Sequence, residues 1–119
     1  MSKNLTVHAR TGTAGAVIEL TGELDYHTAS EVRATLPGLG LEPGQQLVLD
    51  LAGLTFLDST GLTVLIAARN HALSSDATIA LAAVPDRVSR IIRVLGLNQF
   101  FPTHPTAQDA AVAWQSEQS

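Results

Sequence analysis

Leu54-Thr55-Phe56-Leu57-Asp58-Ser59-Thr60-Gly61-Leu62-Thr63-Val64-Leu65 places an Asp-Ser-Thr-Gly turn between a buried-strand pattern and a helix. Helix N-termini expose unpaired backbone N–H groups and carry a partial positive charge. A hydroxyl held there is sited to cap the helix or to carry a phosphate. Ser59 is therefore the leading functional candidate. Its plain reading is an N-cap worth about 1 kcal/mol, with Asp58 sharing the work and Gly61 relaxing the turn.

Upstream, Gln46-Leu47-Val48-Leu49-Asp50-Leu51 is an apolar run without alternation, as expected of a strand covered on both faces at the centre of a sheet. Before it, Leu5, Val7 and Ala9 alternate with Thr6, His8 and Arg10, and Thr11 to Gly15 turns the chain into Ala16-Val17-Ile18-Glu19-Leu20. This reads as a hairpin with a loop of about five residues. Gly22-Glu23-Leu24-Asp25-Tyr26-His27 leaves the second strand, and Thr28 is placed to cap a helix with Glu31 at the capping-box position, ending near Pro37-Gly38.

Downstream, Leu62, Leu65, Ile66 and Leu73 recur at helical spacing and predict about four turns from Gly61 through Ala72. A strand follows at Ala77 to Ala82. Asp86 then caps a helix that turns Val88, Ile91, Ile92 and Leu95 inward and closes at Gly96. Phe100-Phe101 suggests a short edge strand, and Thr106 with Asp109 opens a last helix through about Gln115, anchored by Trp114. The order β-β-α-β-α-β-α-(β)-α predicts an α/β fold: a mixed sheet with an N-terminal hairpin and about four helices packed against it.

At 119 residues and 45% hydrophobic, the chain has material for one core, so a single domain over 1–119 with its core at about 5–115 is expected. No apolar run approaches the roughly 18–20 residues needed to span a bilayer. The N-terminus lacks the apolar region and cleavage site of a signal peptide. Without cysteine there are no disulfides or thiolate metal sites, and a cytoplasmic location is expected. Seven basic residues against eleven acidic give a net charge of −4, which argues against direct nucleic-acid binding. Arg87, Arg90 and Arg93 are the one local concentration of positive charge. They read as a solvated face or, more sharply, as a docking surface for an acidic partner.

Catalytic readings find little support. A serine nucleophile needs a base, and His27 is the one histidine in a loop that could approach Ser59; the Gly-x-Ser-x-Gly elbow is absent. The acid-to-glycine spacing in Asp58-Ser59-Thr60-Gly61 is one residue too long for an aspartic protease. Asp50 ends a buried strand as a receiver aspartate would, but the accompanying acidic pair is missing and Lys3 is the single lysine. Neither standard phosphate-cradling glycine loop occurs, and the histidines lack ligand spacing. No catalytic residue, metal or cofactor is expected.

Gly22-Glu23-Leu24-Asp25, Leu47-Val48-Leu49-Asp50-Leu51, Phe56-Leu57-Asp58-Ser59-Thr60-Gly61-Leu62 and Arg93-Val94-Leu95-Gly96-Leu97 occur in the order seen in STAS domains. Together they resemble the small single-domain anti-sigma factor antagonists of bacteria, from about Leu5 to Trp114. The resemblance implies a phosphorylation-controlled binding switch. The unphosphorylated protein would bind an anti-sigma factor of Bergerat fold, itself a serine kinase, and so release a sigma factor for transcription. Phosphorylation of Ser59 would end the binding, and a serine phosphatase would restore it.

The same resemblance makes Thr60 a second acceptor. It implies a partner-binding face of Gly22, Glu23, Leu24, Asp25, Tyr26 and His27 with Asp58, Ser59, Thr60, Gly61, Leu62 and Thr63. Thr63 stands where the family often has Gly or Ala, and Thr60 where it often has Ser. A second implied role is that of an unphosphorylated scaffold or accessory subunit in a stress-signalling assembly or beside a transporter.

Overall fold

The computed structural model describes residues 4–118. Met1 to Lys3 and Ser119, including the single lysine and most of the segment read for a signal peptide, lie outside the described residues. Five strands form one sheet in the order β1-β2-β3-β4-β5: β1 (Leu5–Gly12), β2 (Gly15–Leu24), β3 (Gln46–Leu57), β4 (Thr78–Ala82) and β5 (Thr103–His104). Only β1 and β2 are antiparallel; every later neighbour is parallel. Parallel pairing needs a crossover, and α1 (Ala29–Thr35), α2 (Ser59–Ser74) and α3 (Asp86–Val94) supply the three.

β3 is central, as its apolar run predicts, and its alternation serves two cores. Leu47, Leu49 and Leu51 face Ile18, Leu20, Val32, Val64, Leu65, Ile79, Leu81, Val88 and Ile92. Val48 instead joins Ala80, Ala82 and Ala110 on the opposite face, which α4 (Ala107–Gln118) covers. Trp114 ties that helix down by donating its indole N–H to the Gly44 carbonyl at 3.0 Å. Thr106 caps α4 as predicted, its Oγ1 accepting from the Asp109 N–H at 3.0 Å.

Several local expectations need correction. The hairpin loop is Thr13-Ala14 alone, because Gly12 and Gly15 already pair across it. β2 continues through Gly22, Glu23 and Leu24, which pair with Leu54, Phe56 and Leu57, so these three residues do not leave the strand. Gly22 permits this with a φ of 111°, and a Cβ there would sit 2.1 Å from the Asn4 carbonyl oxygen.

On α2 the buried stripe is Gly61, Val64, Leu65, Ala68 and Ala72; Leu73 is exposed. Small residues on that stripe let the helix lie close to the sheet. On α3, Asp86 is the first helical residue rather than the cap, and Leu95 is exposed because the helix has ended before Gly96, whose φ of 73° turns the chain away. Phe100 ends a 3-10 turn (Leu97–Phe100) and Phe101 is buried; the edge strand is Thr103–His104 instead.

Candidate functional site

Where β3 hands over to α2, Asp58 takes the N-cap position predicted for Ser59. Its Oδ1 accepts the Gly61 N–H at 2.8 Å, and its backbone carbonyl accepts the Leu62 N–H at 2.9 Å. The carboxylate reaches the third helical N–H from an extended backbone, a geometry open to Asp as to Ser. Ser59 is thereby displaced to the first helical position. It is exposed, and among the described residues its hydroxyl makes no hydrogen bond. The N–H groups of Ser59 and Thr60 precede the first intrahelical bond, that of Leu62 to Asp58, and such first-turn donors are the ones a helix leaves unpaired.

The second oxygen of Asp58, Oδ2, accepts the Tyr26 N–H at 3.2 Å. One carboxylate thus joins the β2–α1 loop to the mouth of α2. A second aspartate organises the loop itself: Asp25 Oδ1 accepts from the His27 N–H at 2.9 Å and the Thr28 N–H at 3.2 Å. Thr28 is buried, and its hydroxyl donates to the Glu23 carbonyl at 2.8 Å while accepting the Asp25 N–H at 3.0 Å. The predicted capping box is not made. Asp25 occupies the Thr28 N–H that Glu31 would need, and Glu31 Oε2 is a buried oxygen without a hydrogen-bond partner among the described residues.

Gly61 does more than relax a turn. A Cβ there would lie 2.3 Å from the Leu24 carbonyl oxygen and 2.8 Å from Leu57 Cδ1, so glycine is what lets α2 abut the end of β2. The same Leu24 carbonyl accepts the Asp58 N–H at 3.3 Å.

The predicted face is therefore assembled in part. Tyr26, His27, Ser59 and Thr63 are exposed, and Glu23, Asp25, Asp58, Thr60 and Leu62 are half-buried beside them. Leu24 and Gly61 are buried and support the face from behind. Thr63 turns its hydroxyl back to the Ser59 carbonyl at 3.0 Å. The His27 ring packs edge-on against Tyr26 with centroids 5.6 Å apart, and no hydrogen bond joins it to Ser59 among the described residues, so the serine–base pair of a hydrolase is not formed. Sequence reasoning placed Thr28 as a helix cap and missed its brace on Glu23 and Asp25, and it missed Asn4, whose carbonyl accepts the Glu23 N–H at 2.7 Å near the end of β2. The signal for Thr28 was its place three residues after an Asp, where an Asx turn competes with a cap.

Among the described residues no group of three His, Asp or Glu side chains could hold a metal ion, and no helix is long and apolar enough to cross a membrane. An exposed serine on the first turn of a helix that crosses between parallel strands of a hairpin-led sheet defines a class of domain. The STAS domain family model matches residues 4–110, and the chain belongs to that family.

Curated relatives carry the name anti-sigma-B factor antagonist. The chain is 31% identical over 81 residues to the anti-sigma-B factor antagonist of Listeria monocytogenes, covering 68% of this chain and 71% of that protein. Among solved structures it is similar to an anti-sigma factor antagonist from Mycobacterium paratuberculosis, with a TM-score of 0.76 and 28% identity over 93% of this chain and 94% of that one. The anti-sigma factor antagonist SpoIIAA in its unphosphorylated form matches with a TM-score of 0.76 over 93% of this chain and 97% of its own. SpoIIAA in its phosphorylated form matches at 0.69 over 91% and 98%. At 19% identity these last two likenesses concern the fold alone.

Proposed function

We propose that this chain is an anti-sigma factor antagonist whose grip on its anti-sigma factor is released by phosphorylation of Ser59. The observation that carries the reading is the free, exposed Ser59 hydroxyl on a face locked by Asp58 to the Tyr26 loop. The names of the relatives support it. The partner is an anti-sigma factor of Bergerat fold that is also the serine kinase, a serine phosphatase reverses the modification, and the exchange takes place in the cytoplasm. The chain acts as a binding switch, not as a catalyst, and Thr60 is the alternative acceptor. Asp25, Tyr26, His27, Asp58, Ser59, Thr60, Leu62 and Thr63 form the contact surface, with Glu23 at its rim.

A phosphate adds about −1.5 to −2 charges at neutral pH. The fold tolerates it, because the first-turn N–H groups of Ser59 and Thr60 and the helix dipole favour an anion there. The partner does not. A partner carboxylate about 6 Å from each added charge is repelled by about 3 kcal/mol at an effective dielectric of ~20, before salt screening. Asp25 and Asp58 deepen the negative field, and residues 54–65 contain no lysine or arginine to offset it.

The test is a pull-down from native cell extract with the wild type and Ser59→Asp as paired baits. The wild type alone should retain an ATP-binding serine kinase. If both baits retain the same proteins, Ser59 is not the switch and the scaffold or accessory role replaces it.

A further inference from the structure

β3 has twelve residues and β4 only five, and β4 pairs with Gln46 through Asp50 alone. Beyond Asp50, β3 is bonded to β2 on one side and, among the described residues, has no strand on the other. An unpaired edge is a template for another strand, and this one carries neither the lysine nor the proline that commonly blunts such edges. The chain leaves β4 through Ala83, at a φ of 52°, and α3 stands beside the open edge. Leu54 to Leu57 on one wall and Pro85, Arg87, Val88 and Ile91 on the other enclose a groove of about 520 Å³. Phe56 remains 45% exposed there.

Arg87 lines the groove, and Arg90 lies one turn further along α3. Arg87, Arg90, Ile91 and Val94 follow the i, i+3, i+4, i+7 spacing of one helix face. Both arginines are exposed, as is Val94. Among the described residues the ion pairs are His8–Glu19 and Arg10–Glu19, so Arg87 and Arg90 contact no carboxylate, and α3, with three arginines to the single Asp86, keeps a positive excess in a chain of net charge −4. Arg93 belongs elsewhere; it lines a separate hollow with Ser89 and Ile92.

We propose that this groove receives an extended segment of the protein partner in which apolar and acidic residues alternate. Its backbone pairs with the free edge of β3, its apolar side chains enter between Phe56 and Ile91, and its carboxylates meet Arg87 and Arg90. Leu57 lines the groove and Asp58-Ser59 follow it directly, so the segment ends beside the phosphorylatable hydroxyl. The inference rests on the partner binding at the Ser59 face and extends that face to α3.

The experiment is an amide NMR titration of the ¹⁵N-labelled protein with the capped hexapeptide Val-Glu-Ile-Glu-Val-Glu and its counterpart Val-Lys-Ile-Lys-Val-Lys. The acidic peptide should shift the amides of Leu54 to Leu57, Val88 and Ile91 saturably and bind about tenfold more tightly than the basic one. Arg87→Glu with Arg90→Glu should invert that preference while the remaining amides keep their positions. Absence of saturable shifts at millimolar peptide, equal binding of the two peptides, or shifts confined to another face overturns the proposal. So does self-association of the chain through this edge, read by sedimentation. The peptides involve no kinase and the variants leave Ser59 intact, so failure here leaves the Ser59 switch standing. Failure of the paired baits leaves these shifts unchanged.

Discussion

Tyr26 and Asp58 lie 32 positions apart, and the backbone N–H of the first donates to a carboxylate oxygen of the second at 3.2 Å. The other oxygen of that carboxylate caps α2. A single side chain therefore ties the loop to the helix mouth.

Asp58→Asn and Asp58→Ala should separate those two duties. Alanine removes the cap and the tether together and should destabilise the chain by about 1–2 kcal/mol, with about 3–6 °C of melting temperature per kcal/mol. Asparagine retains one acceptor oxygen for Gly61 but presents an amide donor to the Tyr26 N–H. Its melting temperature should fall less, while hydrogen exchange at the Tyr26 amide accelerates. Equal exchange in Asp58→Asn and wild type would show that the tether contributes nothing.

Gly61→Ala sets helix propensity against packing. Propensity favours alanine by about 1 kcal/mol. The new methyl would sit 2.3 Å from a backbone carbonyl that cannot swing aside, so a net loss of about 1–3 kcal/mol is expected. Urea denaturation should show a lower midpoint with an unchanged slope.

Thr28→Val keeps the shape of a buried side chain and deletes its hydroxyl. The Glu23 carbonyl loses its donor and the Asp25 N–H its acceptor. Leaving them unsatisfied should cost about 1–3 kcal/mol. Loop disorder seen by NMR at Asp25 to His27 should accompany the drop in melting temperature.

Ser59→Asp should leave stability within about 1 kcal/mol of wild type, since an acid in the first turn suits the helix dipole and the hydroxyl makes no hydrogen bond among the described residues. A larger loss on thermal denaturation would assign the hydroxyl a structural role and weaken its reading as a phosphoacceptor.

The element order was legible in the chain because its apolar periodicities are strong: alternation at Leu5 to Ala9, a continuous run at Gln46 to Leu51, helical spacing after Gly61. The continuity of β3 through Ala52 and Gly53 was not. Ala52, Gly53 and Thr55 interrupt the apolar run, and the strand persists there through pairing with β2 across two register shifts. At the site, the position of Ser59 at a helix mouth was readable, but the division of labour was not. Two aspartates, Asp25 and Asp58, do the work assigned to Thr28, Glu31 and Ser59, because carboxylates compete for the same N–H groups as hydroxyls. The groove required the third dimension, since only the early end of β4 leaves β3 open beside α3.

Trp114 is the single tryptophan, and it belongs to α4 on one face of the sheet, while α2 and Ser59 belong to the other. Its indole bond to the Gly44 carbonyl spans 70 positions of the chain. The protein thus carries one indole which, excited beyond the absorption of Tyr26 at the serine face, reports whether the second layer is docked and is screened by the sheet from events at the serine. Emission should stay constant through a phosphorylation cycle and change only when the fold opens, so one cuvette can distinguish a switched molecule from an unfolded one.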